Sequence, residues 1–186
     1  MKEIKIGNQI WMLENLNLEC FSNGDPIHEA KTTEKWEEAG RNKKPLYMYH
    51  DWTSSRGKMY NWFAVNDPRG LALEGWKVPS EADWEELINF VGGSEHAGKK
   101  LKSSSFEWEE IGGEDEFGMC IRPGGFMGSW GLAPFRWYIH FWTSTGGEGI
   151  EDDYAFSFVF DGCSDESRKS FSHKSSGNYL RLIKQT

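Results

Sequence analysis

The stretch GWKVPSEADWEELINFVGG, residues 75 to 93, specifies a helix that can grow in neither direction. Ser80 stands as N-cap with Asp83 three residues on, the spacing at which each side chain satisfies a backbone N–H beside the other. Trp84, Leu87, Ile88 and Val91 recur at i, i+3, i+4 and i+7 and make one apolar stripe, while Glu81, Glu85, Glu86 and Asn89 fill the opposite side. Pro79 opposes extension backward, and Gly92-Gly93 lets the chain leave through a left-handed cap. A second short helix is predicted over SEHAGKKLK, from Ser94. With its best helix held to roughly three turns, the chain must find the rest of its structure in strands and loops.

The strand signals agree. EIKIGNQIWM places Ile4 and Ile6 on one face, turns near Gly7-Asn8 and resumes with Ile10 and Met12, which predicts an N-terminal hairpin. DYAFSFVF sets Tyr154, Phe156, Phe158 and Phe160 on one face and Ala155, Ser157 and Val159 on the other, with Asp161-Gly162 as a turn. NYLRLIK reads as a closing strand, Leu180 and Leu182 on one side and Tyr179, Arg181 and Ile183 on the other. PLYMYHDW and GKMYNWFAV read as short aromatic strands or a buried turn, and TTEKWEEAG as a short helix around Trp36 ending at Gly40. After Ser103 the chain is punctuated by Gly112-Gly113, Gly124-Gly125 and Gly146-Gly147. No repeat, low-complexity tract or linker breaks this order, so the economical reading is one α+β domain over residues 1–186.

Ten Trp, twelve Phe and six Tyr stand beside 21 Gly, a composition in which a few large rings hold a loop-rich core. Lys+Arg is 21 and Asp+Glu 29, a net charge of −8 that repels phosphate backbones and anionic lipid, which argues against nucleic acid as a partner. No run of about 18 apolar residues is present, so no membrane insertion is expected. MKEIKIGNQIW enters a strand pattern at once, with no signal peptide; a cytoplasmic chain and a mature chain that has lost its leader both fit. Cys20, Cys120 and Cys163 are widely spaced, allow at most one internal disulfide, and read as three small buried hydrophobes.

In order along the chain, IGNQIWMLENL (6–16), GKMYNWFAV (57–65), the helix stretch (75–93), AGKKLKSSSFEW (97–108), FGMCIRPGGFM (117–127), FWTST (141–145) and YLRLIK (179–184) resemble the Fibrobacter succinogenes major paralogous domain, a family of bacterial, mostly secreted or surface-attached domains. The resemblance implies a C-type-lectin-like fold, akin to formylglycine-generating enzymes and to retroelement-diversified variable proteins. Such a fold has two helices, small twisted antiparallel sheets, long loops, and adjacent N- and C-terminal strands. Many members carry one cysteine before the Gly-Trp of the first helix and another in the last strand; Ala72 and Leu182 stand there in this chain. The matched loss implies that these two residues lie near one another.

Catalytic motifs are missing from the sequence. His28, His50, His96, His140 and His173 are dispersed, and there is no HExxH, Cys/His zinc pattern, GxSxG, Walker loop or strand-linked GxGxxG. The copper-binding cysteine pair of formylglycine-generating enzymes does not carry over, since Cys163 sits beside a turn and Cys120 in an apolar run matching a core strand. Calcium finds no EPN, QPD or WND motif; Glu148, Glu151, Asp152, Asp153, Asp161 and Asp165 offer oxygen ligands but read better as solvated loops. No cofactor is therefore expected. The remaining signal is SWGLAPFRWYIHFW (129–142), where Phe141 and Trp142 belong to a strand motif and Trp130, Arg136, Trp137, Tyr138 and His140 are free to meet a sugar face or a protein. Asp152 and Asp153 in the 146–153 loop, and His173, Lys174 and Asn178 near SRKSFSHKSSGN (167–178), complete the candidate ligand-binding set.

These readings predict a non-catalytic recognition module, an adhesin-like domain at a bacterial cell surface or on a virion. It binds a glycan or a cell-surface protein through its C-terminal loops. Two alternatives belong to other classes: an assembly subunit of a pilus or phage tail, and an enzyme of the formylglycine-generating type on the same scaffold.

Overall fold

Trp84 is the centre around which the chain folds. The computed structural model describes residues 2–50, 56–104, 106–128, 131–133, 136–147 and 152–185. In chain order these give strands β1 (Glu3–Ile6), β2 (Gln9–Met12) and β3 (His28–Glu29), helix α1 (Thr33–Arg41), strands β4 (Leu46–Met48) and β5 (Met59–Tyr60), helix α2 (Trp62–Val65), strand β6 (Trp76–Lys77) and helices α3 (Glu81–Phe90) and α4 (Ser94–Leu101). Strands β7 (Met127–Gly128), β8 (Gly131–Leu132), β9 (Tyr138–Gly146), β10 (Tyr154–Asp161), β11 (Ser167–His173) and β12 (Ile183–Lys184) follow.

Helix α3 forms as its sequence dictates. The Ser80 hydroxyl accepts from the Asp83 N–H while the Asp83 carboxylate accepts from the Ser80 N–H, so the capping box is closed in both directions. At the far end Gly92 takes φ +111°, a conformation that would strain any residue with a Cβ. The buried stripe of Trp84, Leu87 and Ile88 faces the sheet. There Trp84 meets Trp11, Phe141 and Phe158 with ring centroids 4.7, 5.3 and 5.6 Å away.

The sheets are small. One runs β1-β2-β12-β6, with Ile183 paired to Trp11 on one side and Lys77 on the other, so the N- and C-terminal strands are adjacent as expected. A second runs β11-β10-β9 and is antiparallel throughout. In the third, β3-β4-β5, strands β3 and β4 are parallel, which departs from the all-antiparallel expectation. Strands β7 and β8 pair alone. The helix expectation also needs correction: four helices occur among the described residues rather than two. Helix α1 is the one anticipated around Trp36, and α2 is the turn within GKMYNWFAV, where Asn61 caps Ala64 by accepting its N–H.

The segment 178–182 does not behave as a half-exposed strand. Tyr179, Leu180, Arg181 and Leu182 are all buried, because the chain is wedged between β9, through Tyr179 N–H to His140 O, and the 12–16 segment, through Met12 N–H to Leu182 O and Leu16 N–H to Leu180 O. Leu182 lies in a second core with Leu16, Tyr60, Trp62 and Trp142, and Ala72 packs against that same core. The cysteine reading is overturned. All three are free thiols, Cys20 and Cys163 exposed and Cys120 half-buried in a left-handed turn at φ +52° rather than in a core strand.

Candidate functional site

The sheet β11-β10-β9 has two unlike faces. Alternation turns Phe158, Phe160 and Phe141 toward α3, and sends Tyr138, His140 and Val159 to the other side. On that side an open groove of about 780 Å³ is walled by Phe126, Trp137, Tyr138, His140, Val159 and Arg168, within the size range of small-ligand sites.

Backbone bonds set these walls. Gly124 and Gly125 both donate to Tyr138 O, which pins the Phe126 loop to the start of β9, and Ala133 N–H donates to Phe126 O. Phe126 then lies flat on His140, with centroids 3.9 Å apart and planes at 20°. Tyr138 stands edge-on to both rings. Opposite, the Arg168 guanidinium donates to the buried Asp161 carboxylate, which also accepts from Cys163 N–H. Arg168 is thereby held against the groove. Burial, and secondarily the charge on Arg168, pushes the His140 imidazole down to about 3, so this ring is neutral at ordinary pH. Its Nδ1 is buried with no hydrogen-bond partner among the described residues. The wall is therefore aromatic and uncharged at its centre, with the tethered Arg168, and Lys169 beside it, at its edge.

Of the residues singled out in the sequence, Trp137, Tyr138 and His140 are brought together here. Arg136 turns away: its guanidinium donates to the Phe106 and Glu107 carbonyls and pairs with Glu109. Trp130 lies outside the described residues, as do Glu148 and Glu151. Asp152, Asp153, His173 and Lys174 form a separate cluster. Lys174 donates its backbone N–H to Asp153 O and its ammonium to Asp152 O, and the ammonium sits 4.7 Å over the Trp62 ring. His173 meets the edge of Tyr154, its cross-strand partner. Tyr154 and Val159 are separated by roughly 16 Å along β10, so this cluster and the groove occupy different ends of the sheet.

Asn178 is corrected outright. It is 0% exposed, its backbone pairs with Tyr60 in both directions, and both atoms of its carboxamide are buried without partners among the described residues, so it meets no external ligand. Phe126, Val159 and Arg168 belong to the groove but were not singled out as site residues. Phe126 carried a signal, standing directly after Gly124-Gly125 in PGGFM, where the glycines allow its loop to close on β9.

Among the described residues no group of three or more His, Cys, Asp or Glu side chains converges to hold a metal, and no helix is long and apolar enough to cross a membrane.

Small, mostly antiparallel sheets, four short helices among the described residues and an aromatic groove on the sheet face turned away from α3 make this an α+β domain. The sequence model of the Fibrobacter succinogenes major domain family matches residues 4–184, and the chain belongs to that family. No curated protein and no solved structure matches the chain.

Proposed function

We propose that this protein is a non-catalytic recognition domain that binds a glycan or a cell-surface protein in the groove of Phe126, Trp137, Tyr138 and His140. The observation that carries the reading is the groove itself: about 780 Å³ of open space lined by rings whose central imidazole bears no charge. Flat apolar faces beside polar edges stack on sugar rings and anchor protein side chains. The scaffold is C-type-lectin-like in this proposal, supported by the adjacent terminal strands and by the consecutive helices α3 and α4. The domain acts outside the cell or on its surface, in keeping with the family it resembles. An activity of the formylglycine-generating type is not part of this proposal, a reading supported by the placement of Cys20 and Cys163 at exposed positions and of Cys120 in a half-buried left-handed turn.

A second reading is favoured by a specific feature. Tyr154 and Phe171 remain 42% and 45% exposed on the α3 side of the hairpin, where Phe171 packs against Phe156 at 4.4 Å. An assembly subunit would cover such rings with a neighbouring copy.

A glycan and cell-surface binding screen, run with and without calcium, tests the first reading. Trp137→Ala with Tyr138→Ala should weaken binding at least tenfold, while Lys174→Ala should leave it unchanged. If the groove variant binds as tightly as wild type, the site assignment is overturned. A wild type silent in the screen that sediments as an oligomer, and becomes monomeric on Phe171→Ser, establishes the assembly reading instead.

A further inference from the structure

A second cavity, of about 420 Å³, opens beside the N-terminal hairpin and is lined by Lys2, Glu14, Arg56, Cys120, Arg122 and Arg181 among others. Four of these are cations and one a carboxylate, in a chain whose net charge is −8. Glu107 stands close by and accepts from Arg56 at 2.5 Å and, more loosely, from Arg122 at 3.5 Å. Counting it, positive charge still exceeds negative around the cavity.

Arg181 sets this cavity apart from a patch of surface lysines. It is only 3% exposed, yet no carboxylate among the described residues lies within ion-pair reach of it; Asp115 and Glu14 act on it from farther away. Asp115 instead accepts the Cys120 N–H at 2.7 Å. The guanidinium donates to Met119 O, Cys120 O and Asn15 Oδ1, and lies 5.6 Å from the Phe141 ring. Those bonds engage three of its five N–H donors. Burial lowers its proton affinity, to about 10. A buried guanidinium facing carbonyls alone is costly to maintain unless an anion completes its surroundings. The left-handed turn at Cys120, φ +52°, gives the cavity its shape: it aims the Met119 and Cys120 carbonyls at Arg181 and leaves the side chains of Cys120 and Arg122 on the cavity wall.

We propose that this cavity is an anion site that takes the carboxylate, sulfate or phosphate group of a small ligand, with Arg181 as the fixed anchor and Arg122 and Lys2 as the rim. Oxyanions accept paired N–H donors from guanidinium with a strength that neutral acceptors do not match. The site is distinct from the aromatic groove, whose centre is uncharged, and it does not depend on what the groove binds.

Titration calorimetry with inorganic sulfate, inorganic phosphate and acetate, each at ionic strength held constant with chloride, tests the proposal. Saturable binding of at least one of the three is expected, phosphate or acetate identifying which oxyanion geometry fits. Arg122→Ala, on the exposed rim, should raise the Kd at least tenfold, and Lys2→Ala should raise it by a smaller factor. Trp137→Ala should leave it unchanged, which separates this site from the groove. Arg181→Lys should abolish binding, and circular dichroism would show whether that variant still folds; the rim variants decide the matter if it does not. Absence of saturable binding by all three anions, or binding that Arg122→Ala leaves intact, overturns the proposal.

Discussion

The His140 imidazole lies flat on the Phe126 ring, 3.9 Å from centroid to centroid, and its Nδ1 is shut away from solvent with no partner among the described residues. A ring in that position resists protonation, and its pKa is pushed down to about 3 by burial first and by Arg168 second. The unfolded chain protonates the same ring near pH 6.5. Between these values the unfolded state binds more protons, so the His140 contribution is complete above about pH 6.5 and is lost as pH falls toward 3. His140→Phe should therefore flatten the acid limb of stability, the difference from wild type growing by up to roughly 1.4 kcal/mol per pH unit. Urea denaturation at pH 7, 5 and 4 checks this. Parallel curves for the two proteins would show that His140 is not held neutral.

Trp84 is buried against four rings, and its indole N–H has no acceptor among the described residues. Trp84→Ala should cost about 3–5 kcal/mol through the void it leaves. Trp84→Phe keeps most of the ring contact and removes the unsatisfied donor, and should cost less than half as much. Chemical denaturation of both variants gives the comparison, and equal losses would mean that the indole N–H does have a partner.

Gly98 sits inside α4, where replacing glycine by alanine ordinarily stabilises a helix by up to about 1 kcal/mol. Here a Cβ would stand 2.4 Å from Glu166 O and 2.5 Å from Asp165 O, backbone atoms that cannot swing aside. The same approach allows the Lys99 N–H to donate to Asp165 O at 2.9 Å. Gly98→Ala should therefore destabilise the protein, reversing the usual sign, and thermal unfolding will read the direction.

Asp161 is buried under Arg168 and accepts the Cys163 N–H. Asp161→Asn leaves a half-exposed guanidinium that water can solvate, and should lower stability by about 1 kcal/mol. Arg168→Met should cost more, about 2–4 kcal/mol, because it strands the buried carboxylate. The double variant Asp161→Asn, Arg168→Met should cost less than the sum of the two, a coupling that a double-mutant cycle measures.

Helix α3, the β1–β2 hairpin and strand β10 were legible because their signals are local: a cap, a glycine and a period of 3.6 or 2 residues, all within one short window. The groove was only partly legible. Trp137, Tyr138 and His140 stood out by type, whereas Val159 and Arg168 join them through the register of β9 with β10 and of β10 with β11, which no local pattern states. His173 and Asp152 looked like neighbours of the groove in sequence, yet a strand carries the chain about 3.3 Å per residue, and β10 sets them at its other end. Asn178 misled for another reason. Its polar side chain reads as surface, but the backbone bonds that tie it to Tyr60 bury the carboxamide with them. Short α2 was legible only as a strand or buried turn, and the parallel pairing of β3 with β4 was invisible, because two- to four-residue elements are made by tertiary contacts rather than by propensity.

The placement of Ile183 between Trp11 and Lys77 also governs when the molecule can form. Until residues 183 and 184 have left the ribosome, β2 and β6 lack the plank that joins them. Closure of this sheet is thus a late, long-range event. Loss of Ile183 and Lys184 would remove the middle of the sheet rather than fray an edge.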